Sequence, residues 1–577
     1  MSLVGLAGAV YGALVTPTWT HNLIGGQILA GIVAYPPESP VPALYLNPWS
    51  LLVQLAALGL RAGVSEWTLS LVFSGVQGAL ATMALAWLGW VFSRRAVVAV
   101  LVPAVALIAA AATPMWVGTS LRVFHGHLYP NTFPVGPSLY APIAIFLGVI
   151  AMSLAATRRW PAASALMALL PCIHIGLALP FGLIVGTMAA QDRLAVAAQW
   201  PSVRRAVAVG LLVTFASGLG ALVTRPEMPP SVDGAVGVAD VFAEQWDDHS
   251  RVVAPAELVP LLEMVFWLVV LWGLMRGRLA PLVPDGADRL VRAVGVVEAV
   301  AAAYTVVAAV VPAVVPWPVR VALPTRWLNI ASWVVFVGGL ALLTRAALDG
   351  HRPALIALGV GLVLRVSGVT VGISITSQFE VVHAMAASDS WGRLIRTVGV
   401  VYPFVVCAGL WWSAGRPVLA LWRGAVDRGV VMATLGVWAI AGWHHLSAAP
   451  RGECPDVIAA LRTGSGALLV GADLWDASWV QVRTRRAVVF DPMDMNIVPF
   501  TPEAMGRVSE VLRDVYEVDP LGGPRGPLDR AWPSFTVERW QALAARYGAT
   551  DVLVADSVSL PLAIRASSEG CRVYRLP

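Results

Sequence analysis

The residues that could carry out chemistry are few, because only 13% of the chain is charged. Histidine is the first type to consider, since imidazole titrates near neutral pH and is a common metal ligand. The candidates lie in three motifs: His21 in PTWTHN, His125 and His127 in FHGHLYP, and His174 in PCIHIG. A metal site needs three or four converging ligands. The HGH motif alone therefore leaves a divalent metal as an open prediction.

Carboxylates that could act as a general base are scarce in the first third of the chain. Only Glu38 and Glu66 precede Asp192. Glu38 lies in the motif YPPESP, where the flanking prolines restrict the backbone. As a general base it would have to lie within about 3 Å of an acceptor hydroxyl. Alternatively, Glu38 and the histidines are simply polar loop residues without a chemical role.

Two charged residues interrupt long apolar runs. Arg365 lies within ALIALGVGLVLRVSGVTVGI and Glu298 within VRAVGVVEAVAAAYTVV. Burying such a charge costs a few kcal/mol on insertion scales, so it usually faces a partner or a water-filled pathway. One interpretation is that the two residues pair with each other. The other is that Arg365 binds an anionic headgroup or phosphate through its planar fork.

The surrounding sequence is typical of a membrane protein. Its 577 residues are 58% hydrophobic, and its mean hydropathy is +0.74. An average soluble protein has about 25% charged residues, far more than this chain. Apolar runs occur at 3–15, 69–91, 96–112, 138–155, 161–190, 206–223, 258–275, 291–311, 327–343, 354–375, 398–412 and 430–443. A span needs about 20 residues, so we predict a polytopic α-helical membrane protein with about 12–13 membrane helices.

Loop charge predicts the orientation of these helices. Apart from histidine, every basic residue is an arginine, and the arginines cluster in every second loop. The positive-inside rule places those loops and the N-terminus in the cytoplasm, and the loop at 17–67 outside. The net charge of +5 is therefore attributed to membrane orientation, and no nucleic-acid partner is expected.

The segment 161–190 does not fit a simple span. Both of its ends are predicted on the inner side, yet two full spans need roughly forty residues. Pro171 and Pro180 are expected to break helical hydrogen bonding. We predict a short hairpin of two half-length helices with His174 near its tip. Backbone that bends at membrane depth is tolerated only inside protein or beside water, so the hairpin should border an aqueous cavity.

The chain changes character near Ser447. Residues 1–447 are predicted to form the transmembrane domain, and residues 448–577 a soluble α/β domain outside the membrane. Its predicted strands lie at 467–470, 487–490, 551–554 and 571–576. Strands that alternate with helices favour a mostly parallel sheet.

Local signals place the helices and a potential disulfide in this tail. Thr501 before a proline and Thr536 predict helix starts, and Gly548 predicts a helix stop. Cys454 and Cys571 both lie in the tail. They can pair only if the tail faces an oxidising compartment.

This layout resembles the GT-C class of integral-membrane glycosyltransferases. The shared features are an inward N-terminus, a first outer loop with amphipathic helices, many spans of which some are short, and an outer soluble domain. The tail motifs RRAVVFDPMDMNIVPFTPEAM, YGATDVLVADS and CRVYRLP are similar to those of bacterial membrane proteins of this build. The resemblance covers most of the chain as architecture.

The resemblance implies transfer of a sugar from a polyprenyl-phosphate carrier to an extracytoplasmic acceptor in envelope glycan assembly. In that class a first-loop carboxylate serves as base or metal ligand. This sequence has PTWTHN where the class has its acid, so His21 or Glu38 takes the catalytic role, or the chain keeps the fold without the activity. The predicted substrate- and carrier-binding residues are Arg122, His125, His127, His174, Arg365 and Glu298.

Two other functions fit the same sequence. One is a non-enzymatic transporter or flippase for a lipid-linked envelope precursor, with Arg365 and Glu298 in its pathway. The other is an assembly protein that docks partners through its outer domain. All three predict a multi-pass protein of the bacterial plasma membrane whose partners include the lipid bilayer and, for the enzyme, a polyprenyl-phosphate-linked sugar.

Overall fold

The structure is a computed structural model. It describes residues 1–15, 19–36, 39–111, 140–226, 258–277, 279–311, 315, 324–349, 454–471, 478–491, 495, 497–522 and 528–577. The predicted spans at 354–375, 398–412 and 430–443 lie outside these residues. So does the predicted domain boundary between residues 447 and 448.

The described part of the chain is mostly helical and carries a small C-terminal sheet. Its first helices are α1 (Ser2–Val10), continued by a π-helical turn (Tyr11–Val15), α2 (Asn22–Ala30), α3 (Val41–Leu46), α4 (Leu51–Arg61), α5 (Glu66–Ser93) and α6 (Ala96–Ala111). The next are α7 (Tyr140–Ala156), α8 (Trp160–Leu169), α9 (Ile175–Gln191), α10 (Arg193–Ala198), α11 (Trp200–Val223), α12 (Leu258–Arg276), α13 (Asp285–Val310) and α14 (Pro324–Leu348).

The tail contributes four further helices and four strands. The helices are α15 (Pro455–Arg462), α16 (Ser478–Thr484), α17 (Met505–Tyr516) and α18 (Val537–Tyr547). The strands are β1 (Ala467–Val470), β2 (Ala549–Ala555), β3 (Ala563–Ser568) and β4 (Cys571–Arg575). Short 3₁₀ segments lie at Leu170–Cys172, Ala280–Leu282, Val498–Phe500, Pro502–Ala504 and Leu528–Ser534.

Three helices of the described part are long and apolar enough to cross a membrane, namely α5, α11 and α13. Helix α5 has 28 residues, and a rise of 1.5 Å per residue makes it about 42 Å long. That length exceeds the roughly 30 Å hydrocarbon core of a bilayer. The two ends of α5 are therefore far apart, and a separate polar region lies at each of them.

Close glycine packing anchors the start of the first loop. A Cβ added to Gly78 would lie 2.2 Å from the carbonyl oxygen of Gly8, so α1 and α5 touch backbone to backbone. Small residues allow such an approach between membrane helices. Thr82 on α5 also donates its hydroxyl to the carbonyl of Val4, at 3.2 Å. Past the π-helical turn, the amide of Thr20 donates to Ser70 Oγ at 3.3 Å, so the chain leaves α1 along the same helix.

The segment 161–190 forms two helices as predicted, but only α8, with 10 residues, is about half the length of a span, whereas α9 has 17. Helix α8 ends at the 3₁₀ turn that contains Pro171, and α9 starts after His174. The two outer ends of the segment meet, because Arg158 Nε donates to Asp192 Oδ2 at 2.7 Å. The predicted break at Pro180 is wrong: Pro180 lies inside α9, which continues through it. Proline lacks a backbone amide and so gives up one helical hydrogen bond here, but this loss does not end the helix.

The tail sheet has the order β1-β2-β4-β3. Only β1 and β2 pair in parallel, while β2 with β4 and β3 with β4 are antiparallel. The expectation of a mostly parallel sheet is therefore wrong, because β3 and β4 form a hairpin that the strand prediction missed. The predicted strand at 487–490 is reduced to an isolated parallel bridge between Leu468 and Val488.

The predicted helix ends in the tail are correct at two positions and wrong at a third. Thr536 Oγ1 accepts the amide of Arg539 at 3.3 Å, and Gly548 ends α18 in a left-handed conformation with φ of 60°. Both predictions are confirmed. Thr501 precedes a 3₁₀ turn and makes no side-chain cap, so the predicted α-helix start there is wrong by one turn.

The first loop and the tail share one hydrophobic core. Val33, Ala43 and Leu44 of the loop are 0–3% exposed and pack in the same cluster as Trp532 and Trp540 of the tail. Burying a side chain the size of Val or Leu contributes about 1.5–3 kcal/mol. This part of the loop therefore packs into the C-terminal domain, whereas Leu23, Ile24 and Leu52 of the same loop pack in the hydrophobic cluster of the long helices.

Candidate functional site

The beginning of the first loop is buried. Asn22, at the beginning of α2, is 1% exposed, and its Nδ2 donates to Thr20 Oγ1 at 3.0 Å. The rings of Trp19 and Trp67 pack 4.9 Å apart. These contacts hold the two ends of the loop together, so α2 is fixed above the N-terminal end of α5.

An ion pair joins the loop end of α5 to the tail. Arg485 Nε donates to Glu66 Oε1 at 2.6 Å, and Arg485 NH2 donates to Glu66 Oε2 at 2.9 Å. Such a bidentate, charge-assisted pair is stronger and more directional than a neutral hydrogen bond. Glu66 is also the first residue of α5, where the helix dipole favours a negative charge. The carboxylate is 10% exposed and the guanidinium 58% exposed.

Buried amides extend this ion pair into a network. Gln27 Nε2 donates to Glu66 Oε1 at 3.2 Å and to the carbonyl of Val482 at 3.1 Å. Gln481 Nε2 donates to the carbonyl of Ile24 at 3.3 Å, and Tyr35 donates its hydroxyl to Gln481 Oε1. Gln27 is 0% exposed and Gln481 is 2% exposed. A buried amide without partners would cost several kcal/mol, so these pairings specify how the tail docks.

We call Gln27, Tyr35, Glu66, Gln481 and Arg485 the loop–tail network. It lies at the N-terminal end of α5, opposite to the end that carries Arg94. Two further hydrogen bonds flank it: Asn47 Nδ2 and Arg225 NH2 both donate to Glu503 Oε1, at 2.6 and 2.8 Å. The tail therefore contacts the loop and the end of α11 as well.

A short arginine turn in the tail organises this contact. Arg483 lies with its guanidinium carbon 5.7 Å from the ring centre of Trp19, a cation–π contact. Arg485 turns toward Glu66 with a left-handed backbone, φ 58°. Arg486 turns inward, and its NH1 lies 2.8 Å from Asp551 Oδ2, with both side chains almost fully buried. Neighbouring arginines thus link the tail core to the first loop.

The electrostatics of the turn follow from these partners. The hydrogen bonds to Glu66 raise the pKa of Arg485 above its usual value. Burial lowers the pKa of Arg486, and the hydrogen bond to Asp551 opposes that shift. Both guanidinium groups stay charged at neutral pH, because the ordinary arginine pKa lies several units higher. Glu66, with both oxygens accepting from Arg485, has a positioning role and is not a free general base.

The predicted site residues fall into two groups. Glu38, Arg122, His125, His127 and Arg365 lie outside the described residues. His21, His174 and Glu298 lie within them. Their described contacts are on different elements, and none of those contacts joins one of the three to another.

His21 is at the start of α2, directly before the buried Asn22. Its side chain is partly buried, and its carbonyl accepts the amide of Ile24 at 3.1 Å. Of the three described candidates it is the one that the first loop positions beside the loop–tail network.

His174 and Glu298 have local partners. His174 caps α9, because its Nδ1 accepts the amide of Leu177 at 3.3 Å, and its ring packs 5.4 Å from that of Tyr140. Glu298 lies between α13 and α14, is 0% exposed, and accepts the backbone amide of Ala331 at 3.1 Å. Its Oε2 atom has no hydrogen-bond partner among the described residues. The predicted pairing of Glu298 with Arg365 falls on a residue outside that set.

No group of three or more metal-ligating side chains occurs in the described residues. That part of the chain therefore assigns no ligands to the divalent metal left open by the sequence. Sequence reasoning missed the loop–tail network entirely. The one signal that pointed toward it was the scarcity of acids, which left Glu66 as one of two carboxylates before Asp192.

Comparison with known proteins does not assign this chain to a family. No protein-family model matches the chain, and no curated protein matches it.

Proposed function

We propose that this chain is a multi-pass membrane protein whose C-terminal domain lies outside the membrane and covers the first outer loop. The length of α5 supports this arrangement. The helix separates the loop–tail network at Glu66 from the arginines that follow Ser93 by about 42 Å. The positive-inside rule places the arginine end of α5 in the cytoplasm. The opposite end, which the tail contacts, would then lie outside.

The disulfide in the tail supports the outer location. Cys454 and Cys571 are bonded across a sequence separation of 117 residues. Stable disulfides form in oxidising compartments such as the bacterial periplasm or cell surface, and rarely in the cytosol. Cys172, in the helical region, is buried and not disulfide-bonded.

We propose further that the protein is a GT-C-like glycosyltransferase, which moves a sugar from a polyprenyl-phosphate carrier to an extracytoplasmic acceptor. The observation that carries this proposal is the position of His21. His21 is partly buried at the start of α2, and this helix contacts the tail through Gln27 and the carbonyl of Ile24. There His21, with Glu38 on the same loop, would act as the general base toward the acceptor hydroxyl.

The test is a transfer assay with purified full-length protein, radiolabelled undecaprenyl-phosphate sugars and envelope glycan acceptors. Removing a general base typically lowers the rate by about 10²–10⁴-fold. We expect a loss of that size for His21→Ala or for Glu38→Gln, with the protein still folded. His351→Ala is the matched control, since His351 lies between Arg345 and Arg352 in a loop that the positive-inside rule places in the cytoplasm, on the opposite side. Absence of transfer with every donor would refute the proposed activity.

A second candidate function is transport of a lipid-linked precursor. The observation that favours it is Glu298, a fully buried carboxylate in α13 whose Oε2 has no partner among the described residues. Ionisable residues inside membrane helices often mark substrate or proton pathways. Transport of a fluorescent lipid-linked sugar into proteoliposomes that falls with Glu298→Gln, and is unchanged by His21→Ala, would favour this function over transfer.

A further inference from the structure

A polar pocket lies at the end of α5 that is remote from the loop–tail network. Its volume is about 390 Å³, and it is lined by Arg94, Thr157, Arg158, Pro284, Asp285 and Arg289, among others. We call it the arginine pocket. Three chain segments meet there: the residue after α5, the connection from α7 to α8, and the start of α13. Because the loop–tail network contributes no residue to it, the function of this pocket is independent of the proposed transferase activity.

Arg94 provides an uncommitted cation in this pocket. It caps α5 in a left-handed backbone conformation, with φ of 54°. Its side chain is exposed, and its guanidinium makes no hydrogen bond or salt bridge to another described residue, although the carboxylate of Asp285 lies near enough to attract it. A Cβ on Gly286 would lie 3.1 Å from Arg94 NH2, so the guanidinium rests against the first turn of α13.

Arg289 provides a second cation with spare hydrogen-bonding capacity. Its side chain is only 11% exposed; NH2 donates to the carbonyl of Ala156 at 3.1 Å, and NH1 lies 3.5 Å from Asp192 Oδ2. Its buried Nε has no acceptor among the described residues. Asp192 also accepts from Arg158 Nε at 2.7 Å. One carboxylate is therefore shared between two arginines.

The start of α13 adds backbone donors to the same place. The N-cap position holds Pro284, which makes no side-chain hydrogen bond to the helix. Gly286 permits the helix end to approach α7, because a Cβ there would lie 2.3 Å from the carbonyl oxygen of Ala156. The first amides of a helix and its dipole favour an anion. In α13 the amides of Ala287 and Asp288 already donate to the carbonyl of Pro284, which leaves those of Asp285 and Gly286. Here they coincide with a pocket and with two incompletely paired guanidinium groups.

The charge balance of the pocket is positive. Arg94, Arg158 and Arg289 face two carboxylates, Asp192 and Asp285, of which Asp285 is exposed to solvent. A neighbouring carboxylate, Asp288, is taken by Arg292 and Arg276, at 2.9 and 3.6 Å. An arginine fork matches a phosphate group in two parallel hydrogen bonds. Basic pockets between membrane helices on the cytoplasmic side are known lipid-headgroup sites.

We propose that the arginine pocket binds a phosphate group through Arg94, Arg289 and the first two amides of α13, those of Asp285 and Gly286. The phosphate belongs either to the headgroup of an anionic lipid or to a small soluble phosphate compound. A volume of about 390 Å³ lies in the range of ordinary small-ligand sites, which begins near 300 Å³. Arg158 stays engaged with Asp192 and positions Arg289 rather than contacting the phosphate.

The experiment uses delipidated full-length protein and two probes. One probe is inorganic phosphate, followed by isothermal titration; the other is a nanodisc of phosphatidylcholine with or without phosphatidylglycerol, followed by native mass spectrometry of retained lipid. Losing one charge-assisted contact costs about 1.5–3 kcal/mol, and 1.4 kcal/mol is tenfold in affinity. We expect Arg94→Gln to weaken binding roughly tenfold or more, and Arg94→Lys to restore part of it.

The matched control is Arg204→Gln. Arg204 is an exposed arginine near the start of α11, so this variant removes the same charge elsewhere. If only phosphatidylglycerol is retained, and its retention depends on Arg94, the ligand is a lipid headgroup. If inorganic phosphate binds, and its binding depends on Arg94, the ligand is a soluble phosphate compound. Either result supports the phosphate site. Equal binding by Arg94→Gln and Arg204→Gln, or no binding of either probe by the wild-type protein, overturns it.

Discussion

The two ends of α5 use the same side chain in opposite ways. At the loop end, Arg485 and Arg486 of the tail each meet a carboxylate in direct contact, Glu66 and Asp551. At the other end, Arg94 makes no salt bridge within the described residues and has only Asp285 nearby, and Arg289 shares Asp192 with Arg158. Arginines at the loop end hold the protein together. At the other end, Arg95 and Arg158 also pair with carboxylates, Asp349 and Asp192, whereas Arg94 and Arg289 have capacity left for a ligand.

The difference shows that arginine content alone does not identify a binding site. A guanidinium group that is fully hydrogen-bonded to its own chain is expensive to disturb and has nothing left to offer a ligand. A guanidinium group that the fold brings to a pocket without a matched acid gains from an external anion. Substitutions at the two ends of α5 should therefore differ in their effect on stability.

The largest effect is expected when Asp551 is removed at the loop end. Asp551→Ala leaves Arg486, which is 4% exposed in its side chain, without its carboxylate. Breaking a buried pair from one side costs about 3–5 kcal/mol. We expect the free energy of unfolding of the tail to fall by that amount in urea titrations followed by tryptophan fluorescence. Glu569→Gln, at an exposed site in the tail, should have almost no effect, and equal effects of the two variants would contradict a structural role for Arg486.

The same carboxylate predicts a pH dependence. Burial alone would raise the pKa of Asp551, but hydrogen bonds from Arg565, Arg486 and Thr550 outweigh burial and hold it below its usual value. A lowered pKa in the folded state adds stability above the unfolded-state pKa of about 3.9. That stability is lost as the pH falls through the lower, folded-state pKa. Asp551→Ala should therefore flatten the acid limb of the stability profile measured by urea titration, and an unchanged acid limb would contradict the lowered pKa.

A smaller effect is expected at Glu66 and Arg485. Glu66→Gln and Arg485→Gln should each loosen the loop from the tail, and a double-mutant cycle should give a coupling energy of about 1 kcal/mol or less. This is less than for a buried pair, because Arg485 is 58% exposed and solvent screens its charge. Hydrogen exchange of the α2 amides should rise in both variants. Fully additive single effects would show that the ion pair does not hold the loop.

The smallest effect on stability is expected at the arginine pocket. Arg94→Gln should change the free energy of unfolding by less than about 0.5 kcal/mol, as for other surface substitutions without a structural role. Its thermal midpoint in detergent, without phosphate, should match that of Arg204→Gln. A loss of about 2 kcal/mol or more, well outside the range of surface substitutions, would mean that Arg94 is structural, and the contrast between the two ends of α5 would disappear.

Local chemistry made part of the fold predictable from the sequence. Thr536 and Gly548 bound α18 because a hydroxyl cap and a left-handed glycine act within a few residues. Pro171 marks the break between α8 and α9 for a similar local reason. Proline has no backbone amide, so a helical hydrogen bond within the same turn is lost. Pro180 shows the limit of such local rules, because α9 continues through a residue type that usually ends or kinks a helix.

The candidate site was less accessible to sequence reasoning. Of the predicted residues that the structure describes, His21, His174 and Glu298 are held by separate local contacts. The contacts that join the loop to the tail involve Glu66, Gln27 and Arg485, none of which stood out as a partner of another. Glu66 and Arg485 are 419 positions apart. The sequence alone does not distinguish a solvated carboxylate or amide from one that is buried against a distant partner.

The sequence by itself therefore determined the features that depend on neighbours along the chain: apolar helices of membrane length, their breaks and caps, and a tail of different composition. Only the tertiary structure decided which polar groups meet. It paired the arginines of the tail with Glu66 and Asp551, and it left Arg94 beside an uncapped helix start. The physical reason is that periodicity and capping act over a few residues, whereas pairing of charges depends on which surfaces the whole chain brings together.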